Sequence, residues 1–187
     1  MKIRKCLVVY TIPRNSEQRL CLKHVEDILR KHRIDYNHAN RDFLVKEQLK
    51  GVNFVIAVGG DGTFLRAVQF MKRGLVLGVN ADPRNKEGFF MKSKKANFEE
   101  KLVGIMSGNF PSRRLPRLEA SINGKKIDSL ALNEFFIGPS RGYQASKYVI
   151  QIRNKKERHK SSGVLVTTPA GSHAWGFACG AKKLSLD

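Results

Sequence analysis

An apolar run that ends in two glycines and an aspartate limits the possible folds of this chain more than any other segment. Residues 54–58 (FVIAV) are apolar at every position, which is typical of a central strand in a parallel sheet because both faces of such a strand are buried. Residues 59–63 (GGDGT) follow directly, and Leu65, Val68 and Met71 then recur at three-residue spacing, which predicts a helix. A strand, a glycine turn and a helix in this order indicate a parallel α/β sheet.

The rest of the first 110 residues repeats this alternation of strands and helices. Further strands are predicted at residues 6–10, 34–39 and 75–80. Further helices are predicted from Ser16 onward, in a short pattern up to Lys50, and at residues 97–106. This order of elements predicts a doubly wound parallel sheet, and we assign the α/β domain to residues 1–110.

The pattern changes near residues 109–112, and short strand patterns follow. They cover residues 117–122, 127–137, 147–152 and 163–168, with a turn at Asn123-Gly124. The basic run at residues 153–160 is interpreted as a solvated hairpin loop, and residues 171–178 are expected to form a short helix. We therefore predict a β-rich second domain at residues 111–187.

The composition excludes several classes of protein. With 41% hydrophobic and 27% charged residues in 187, the chain is neither disordered, nor collagen-like, nor a membrane protein. Its cysteines, Cys6, Cys21 and Cys179, are odd in number and lack a Cys-x-x-Cys spacing, which argues against a disulfide framework and a structural zinc site. The N-terminal apolar run is too short for a signal peptide or a membrane span. These features lead us to expect a cytoplasmic protein.

The chain is strongly basic. It has 35 Lys and Arg residues against 16 Asp and Glu residues, a formal net charge of +19 that is spread over both halves. Such a field attracts polyanions. Net charge alone does not choose among a nucleic acid, polyphosphate, a nucleotide and merely solvent as the partner.

The glycine turn carries the clearest chemical signal. Glycines let the backbone approach an anion closely, and the following helix offers the positive end of its dipole. A tight turn between a strand and a helix would need the same glycines for conformational reasons. Asp61 favours a site, because a carboxylate at the carboxyl end of a parallel strand lies where open α/β sheets bind ligands. Neither a P-loop nor a G-x-G-x-x-G pattern occurs in the chain.

Three segments together resemble the NAD kinase family. Residues 58–67 (VGGDGTFLRA) resemble its GGDG signature, which diacylglycerol and sphingosine kinases share in looser form. Residues 131–138 (ALNEFFIG) resemble the Asn-Glu motif, and residues 161–175 (SSGVLVTTPAGSHAW) the Thr-Pro-x-Gly-Ser segment, in the family order. The lipid kinases would have Asn-Glu directly after GGDGT, where residues 64–66 are Phe-Leu-Arg. NAD kinase is therefore favoured over lipid kinase.

The resemblance implies that a nucleotide-binding α/β domain is joined to a β-rich domain. The implied reaction transfers the terminal phosphoryl group of ATP, or of polyphosphate, to the 2′-hydroxyl of the adenosine ribose of NAD, with Mg²⁺ or another divalent cation. Asp61 would be catalytic. The resemblance assigns ligand binding to Gly59, Gly60, Gly62, Thr63, Asn80, Phe89, Asn133, Glu134, Ser162, Thr168, Gly171, Ser172, His173, Ala174 and Trp175. The backbone N–H groups of Gly60, Gly62 and Thr63 would hold phosphates, Asn133 and Glu134 ribose hydroxyls, and Phe89 the adenine.

Structural interpretations of several of these residues stay open. Asn133 and Glu134 would also fit an exposed strand pair, and Phe89 and Trp175 would also fit a core. Ser172 would also fit a helix cap.

Some positions depart from the common family pattern. Ser162 stands where most members have Asp, His173 where they have Thr, and Trp175 where they have Tyr. Together with the segment Asn80-Ala81-Asp82-Pro83, these departures are similar to the pattern of the branch that includes the mitochondrial NAD kinases. The chain is short at its C-terminus for the family, so the second domain is incomplete or a partner subunit completes it. The family implies a homo-oligomer, a dimer or tetramer. An NAD(P)-binding sensor or scaffold with weak catalysis is the alternative function, and a nucleic-acid-binding protein is a more distant one.

Overall fold

A computed structural model describes residues 2–186, which form two compact units, the first ending at Arg113 and the second beginning at Arg114. The strands of the first unit are β1 (Cys6–Tyr10), β2 (Tyr36–Asn40), β3 (Phe54–Gly59), β4 (Leu75–Asn80) and β5 (Ser93–Lys94). Its helices are α1 (Ser16–Lys31), α2 (Asp61–Gln69) and α3 (Phe98–Ser107). All five strands are parallel, in the order β2-β1-β3-β4-β5, which confirms the predicted parallel α/β fold.

The core lies around β3, which is buried at every residue. Phe54, Ile56 and Val58 belong to one hydrophobic cluster with the apolar faces of α1 and α3. Val55 and Ala57 alternate with them and are buried outside that cluster, and α2 packs against the same strand. Helices therefore cover both faces of the sheet, as a doubly wound fold requires.

The strand order places a ligand-binding crevice at one edge of the sheet. The chain runs outward from β1 to β2 on one side and from β1 through β3 and β4 to β5 on the other. In open sheets of this order, ligands bind at the carboxyl ends of the strands where the winding direction reverses, between β1 and β3. The glycine turn follows β3 at this edge, and β4 ends there at Asn80.

Two predictions in this unit are wrong in detail. Residues 41–50 form two short 3₁₀ turns, Arg41–Phe43 and Lys46–Leu49, because Leu44 and Val45 between them are extended and interrupt any longer helix. Helix α2 begins at Asp61, three residues earlier than expected. The Asp-Gly-Thr part of the motif is therefore the first turn of the helix.

The second unit is rich in short strands, as expected. They are β6 (Ser121–Ile122), β7 (Lys125–Lys126), β8 (Glu134–Ile137), β9 (Ser146–Ile152), β10 (Lys155–Ser161) and β11 (Val164–Thr167), and a single helical turn, α4 (Trp175–Ala178), follows. They form the antiparallel pairs β6-β7, β8-β11 and β9-β10. Asn123 and Gly124 both have positive φ, as the predicted hairpin turn requires.

The interpretation of residues 153–160 as a loop is wrong. Residues 155–161 form β10, which pairs with β9 along its whole length, and the turn is confined to Arg153 and Asn154. The misinterpretation arose because lysine and arginine are uncommon in strands, whereas β10 is exposed at every residue and keeps its charges in water. The strand predicted at residues 117–122 is shorter than expected. Only Ser121–Ile122 forms a strand, and Leu118 forms an isolated bridge with Ala131.

No helix in the part of the chain that the structure describes is both long and apolar enough to cross a membrane.

Candidate functional site

The glycine turn joins the end of β3 to the positive end of α2. Gly59 has a φ of +156°, and a Cβ built there would lie 2.5 Å from Thr63 Oγ1, so a larger residue would not fit without strain. Gly60 is the extended N-cap residue of α2. Across residues 2–186, no acceptor engages the backbone N–H groups of Gly60, Asp61 and Gly62. The expected role of the Thr63 N–H is not available in this conformation, because it donates to Gly60 O at 2.8 Å.

Asp61 connects the first turn of α2 to the loop between β4 and β5. Its Oδ2 accepts from the Phe89 N–H at 2.8 Å and its Oδ1 from the Phe90 N–H at 2.9 Å. Phe90 in turn stacks on Phe64 of α2, with ring centroids 5.0 Å apart. Each carboxylate oxygen keeps a lone pair, so the fixed carboxylate can accept a further hydrogen bond.

Asn80 holds the loop that reaches Asp61. Its Nδ2 donates to Lys86 O at 2.7 Å and to Glu87 O at 3.3 Å, and its Oδ1 accepts from the Asp82 N–H at 3.0 Å. The side chain is buried, and both of its amide hydrogens are used. Asn80 therefore positions the loop, and a direct contact with ligand would have to use the remaining lone pair of Oδ1.

The backbone N–H of Phe89 is already used in the hydrogen bond to Asp61, whereas its side chain is exposed. The side chain is 37% exposed and meets Phe90 edge to face at 4.9 Å. The alternative of a core residue is therefore wrong, and Lys92 Nζ lies over the ring, 5.9 Å from its centroid.

In the second unit, the Asn-Glu motif and the Thr-Pro segment lie against each other. Asn133 O accepts from the Thr168 N–H at 2.8 Å and from Thr167 Oγ1 at 3.2 Å. Thr168 Oγ1 donates to Leu132 O and accepts from the Gly171 N–H at 3.1 Å. Gly171 approaches Asn133 O so closely that no Cβ would fit. These hydrogen bonds fix the backbone that carries the side chains of Asn133 and Glu134.

Both units contain buried side-chain oxygens that lack a hydrogen-bond partner. Within the described residues, the buried side-chain atoms that lack a hydrogen bond are Thr63 Oγ1, Asn133 Oδ1 and Glu134 Oε2. Burial also raises the pKa of the Glu134 carboxyl above its usual value. Buried polar atoms of native proteins are nearly always paired, so an unpaired group indicates a missing partner such as a ligand. The interpretation of Asn133 and Glu134 as an exposed pair is wrong, since both are half-buried.

Ser172 and His173 hold the C-terminal segment. Ser172 Oγ donates to Pro169 O at 2.7 Å and accepts from the Leu184 N–H at 2.8 Å, and His173 Nε2 lies 3.0 Å from Leu184 O. The alternative that Ser172 caps a helix is wrong, because Thr168 is the side chain that accepts from an N–H of this turn. Polar groups of this segment are therefore largely used within the unit.

Trp175 is 47% exposed, and its ring lies 5.2 Å from that of Phe136. The core interpretation of Trp175 is therefore wrong as well, and Ala174 before it is exposed.

Ser162 is separated from the Asn-Glu cluster. In the β8-β11 pair, Glu134 lies opposite Thr167 and Ile137 opposite Val164. Ser162 is exposed and precedes Val164, so it lies beyond the far end of the pair, roughly 10 Å or more from Glu134 at about 3.3 Å per residue. The structure does not bring Ser162 together with the other predicted site residues of this unit.

In the first unit, Asp61 is a candidate ligand for a divalent cation. The described part of the chain contains no group of three or more His, Cys, Asp or Glu side chains that would form a protein-only metal site. Mg²⁺, however, is commonly held by one or two carboxylates together with substrate phosphates and waters. Asp61, with free lone pairs beside unengaged N–H groups, is suited to that arrangement.

Two basic residues beside the turn were not identified in the sequence. A Cβ built on Gly62 would lie 3.2 Å from Arg41 Nη1, and one built on Gly60 would lie 3.5 Å from Lys86 Cδ. Only a weak feature of the sequence could have indicated one of these residues. Arg41 directly follows β2, and loops after parallel strands converge on one edge of the sheet.

The sequence is similar to those of known NAD and NADH kinases. Residues 6–110 match the family of the ATP-NAD kinase N-terminal domain. A probable NADH kinase from Oryza sativa subsp. japonica is 30% identical over 171 residues, which cover 80% of this chain and 52% of that protein. The mitochondrial NAD kinase 2 of Homo sapiens is 28% identical over 200 residues, covering 83% of this chain and 45% of that protein. The chain thus spans about half the length of these curated relatives.

Solved structures show the same fold. A crystal structure of an NAD kinase from Archaeoglobus fulgidus in complex with ATP has a TM-score of 0.77 at 23% identity, covering 98% of this chain and 68% of that one. The structure of yeast NADH kinase complexed with NADH has a TM-score of 0.74 at 15% identity, covering 98% of this chain and 63% of that one. The family match covers more than half of the chain and includes the glycine turn with Asp61. The chain belongs to the NAD kinase family.

Proposed function

We propose that this protein is an NAD kinase that transfers the terminal phosphoryl group of ATP to the 2′-hydroxyl of the adenosine ribose of NAD, giving NADP. The observation that carries the proposal is the turn after β3, where unengaged backbone N–H groups lie beside the fixed carboxylate of Asp61. The relatives support it, since the archaeal NAD kinase was solved with ATP and the yeast NADH kinase with NADH.

The first unit supplies the phosphate chemistry. Phosphoryl transfer needs mainly positioning and charge stabilisation, which the N–H groups of Gly60, Asp61 and Gly62 and the positive end of α2 provide. Asp61 accepts a hydrogen bond from the ribose 2′-hydroxyl on a free lone pair. The hydroxyl oxygen forms a bond to the γ-phosphorus of ATP, and the bond from that phosphorus to the oxygen bridging the β- and γ-phosphates breaks, so that ADP leaves. The proton of the hydroxyl passes to the carboxylate of Asp61.

The second unit supplies recognition of the nucleotide. Asn133 Oδ1 and Glu134 Oε2 accept hydrogen bonds from ribose hydroxyls, which gives both buried oxygens the partners that they lack. Thr168 and Gly171 hold Asn133 in place. Ser172, His173, Ala174 and Trp175 contribute backbone and ring contacts in this proposal, and Ser162 would contribute from another part of the surface.

The remaining parts of the proposal concern the cation, the donor and the setting. Asp61 and the phosphates would hold Mg²⁺ or another divalent cation, which supplies neutralisation of the phosphate oxygens when bound. Polyphosphate is the alternative donor, because the N–H groups of the turn bind phosphates irrespective of the nucleoside. We assign phosphate handling to residues 1–110 and NAD recognition to residues 111–187, in a cytoplasmic homo-oligomer.

The test is formation of NADP by the purified chain from NAD and Mg²⁺, with ATP or polyphosphate as donor. We expect NADP with at least one donor, and we expect Asp61→Asn to lower the rate by about 100-fold or more because an amide cannot accept the proton. Asp35→Asn is the matched control, since Asp35 is exposed in the same unit. Binding of NAD without NADP formation would favour the sensor, and an Asp61→Asn rate within tenfold of wild type would exclude the role of Asp61.

Asp61→Asn also removes one of the two acceptors that hold Phe89 and Phe90. Thermal unfolding of this variant therefore has to accompany the assay. A melting temperature close to that of wild type, together with the lost rate, assigns the effect to the chemistry.

A further inference from the structure

Two cations from different loops lie against the backbone of the glycine turn. The guanidinium of Arg41 lies on the Gly62 side, 3.2 Å from where a Cβ of Gly62 would be. The side chain of Lys86 crosses the Gly60 side, with Cδ 3.5 Å from where a Cβ of Gly60 would be. Both basic side chains therefore lie close to the backbone at the start of α2.

This placement is electrostatically unfavourable in the absence of an anion. The start of a helix carries partial positive charge, and cations are normally favoured at the other end. Among the described residues, Asp42 is the acid that accepts from Arg41, through Nε at 3.2 Å. Asp61 is engaged by backbone N–H groups instead. Positive groups that converge in this way are complementary to a ligand with several negative charges.

The surrounding structure holds the backbones of both residues in place. Arg66 of α2 donates through Nε to Arg41 O at 3.2 Å and through Nη2 to Leu44 O at 3.0 Å, so the helix braces the segment that carries Arg41. The backbone of Lys86 is fixed at both ends, because its O accepts from Asn80 Nδ2 at 2.7 Å and its N–H donates to Asp82 O at 3.1 Å.

A buried hydroxyl in the turn points independently to a ligand. Thr63 is fully buried, and its Oγ1 has no hydrogen-bond partner. This oxygen lies directly beside Gly59, where β3 ends. An unpaired hydroxyl at this position is explained if a ligand, or a water that the ligand holds, completes its hydrogen bonding.

We propose that Arg41 and Lys86 together clamp a phosphoanhydride chain on the glycine turn. Arg41 makes a forked contact with phosphoryl oxygens, which a planar guanidinium is suited to make, and Lys86 neutralises charge as a mobile ammonium. The identity of the nucleotide rests on the proposed function, whereas the clamp requires only the phosphate chain. ATP, NAD and inorganic polyphosphate share this chemistry.

The test is calorimetric titration of the full chain with ATP, NAD and inorganic tripolyphosphate. The variants are Arg41→Gln and Lys86→Gln, and the matched controls are Arg19→Gln and Lys50→Gln, which remove exposed cations of the same unit. We expect each clamp variant to weaken binding of tripolyphosphate and of at least one nucleotide by about tenfold, and the controls by less than twofold. We also expect a shallower salt dependence in the clamp variants, because one ionic contact is lost.

Arg41→Lys separates geometry from charge. It keeps the positive charge but lacks the fork, so we expect it to bind between wild type and Arg41→Gln. Clamp variants that bind tripolyphosphate and ATP as tightly as the controls would overturn the proposal, as would a wild-type chain that binds neither. A wild-type chain that binds tripolyphosphate through both cations but forms no NADP would support the clamp and contradict the proposed function.

Discussion

Each of the two units is stabilised internally by a different kind of interaction. The first unit buries large apolar side chains between its sheet and its helices, with Phe54 fully buried at the centre. In the described part of the second unit, the buried apolar side chains are Leu132 and Ala170, whereas Ile152 is 68% exposed. Hydrophobic burial therefore stabilises the first unit, and paired strands with the hydrogen bonds around Thr168 shape the second.

Because the two units differ in their hydrophobic cores, the structural support beneath their unpartnered buried oxygens differs as well. Thr63 Oγ1 lies in a turn supported by a packed sheet, so we expect the proposed phosphate site to be formed before a ligand binds. Asn133 Oδ1 and Glu134 Oε2 lie on a short strand pair with little core beneath it. Ligand binding should therefore order the second unit more than the first.

The largest expected effect is the loss of a core ring from the first unit. Phe54→Ala should lower the free energy of unfolding by about 3–5 kcal/mol, because it removes a fully buried aromatic side chain and leaves a cavity. Urea unfolding followed by far-UV circular dichroism, which reports mainly on α1, α2 and α3, measures this loss.

The matched change in the second unit is Ile152→Ala. The side chain is 68% exposed, so we expect a change within about 0.5 kcal/mol. Trp175 is the single tryptophan of the chain and reports on the second unit by fluorescence. A cost for Ile152→Ala as large as that for Phe54→Ala would contradict the contrast between the units.

An effect smaller than that of Phe54→Ala is expected at Glu134, where a change should stabilise the free protein. Glu134→Gln should raise the free energy of unfolding by about 1 kcal/mol at neutral pH, because it removes a charge from a buried, unpartnered oxygen. The same variant should bind NAD more weakly.

The pH dependence at Glu134 provides a separate check. Burial raises the pKa of this carboxyl in the folded protein, so the folded state binds the proton more tightly than the unfolded state. Stability is then highest below the unfolded pKa and falls as the pH rises through the folded pKa. The Gln variant should lack this decrease, and an equal decrease in both proteins would exclude the effect.

The smallest effect is expected at Glu99, with the opposite sign. Lys31 at the end of α1 and His32, the residue that follows it, each lie 2.7 Å from Glu99 Oε1 on α3, and these contacts lower the pKa of the Glu99 carboxyl. Its stabilisation is present above the unfolded pKa and is lost as the pH falls through the folded pKa. Glu99→Gln should reduce stability slightly at neutral pH and flatten the acid limb of the unfolding curve, whereas Glu100→Gln serves as the control on the same helix.

The first unit could be predicted from the sequence because burial dictates its pattern. A strand buried on both faces leaves a continuous apolar run, and residues 54–58 fall within the observed β3. In the second unit the strands are exposed, so β10 carries no apolar pattern and residues 153–160 resembled a loop. Burial, the source of the pattern, is missing there.

The site was predictable only in part for a related reason. The motifs identify Asp61, Asn133 and Glu134 because their residue types are distinctive. The positions of Arg41 and Lys86 depend on the paths of two loops over the turn, which no local pattern encodes. The separation of Ser162 from Glu134 likewise depends on the register of the β8-β11 pair.

If the unpartnered buried oxygens of both units mark ligand sites, hydrogen exchange measured with and without ligand will show it. With NAD at about 100 times its dissociation constant, global stabilisation would be limited to about 2.7 kcal/mol. We predict that NAD slows exchange most at residues 132–136 and 165–172, and that tripolyphosphate slows it most at residues 59–64. Exchange that is unchanged in these segments at saturating ligand, or slowed only elsewhere, would contradict the account.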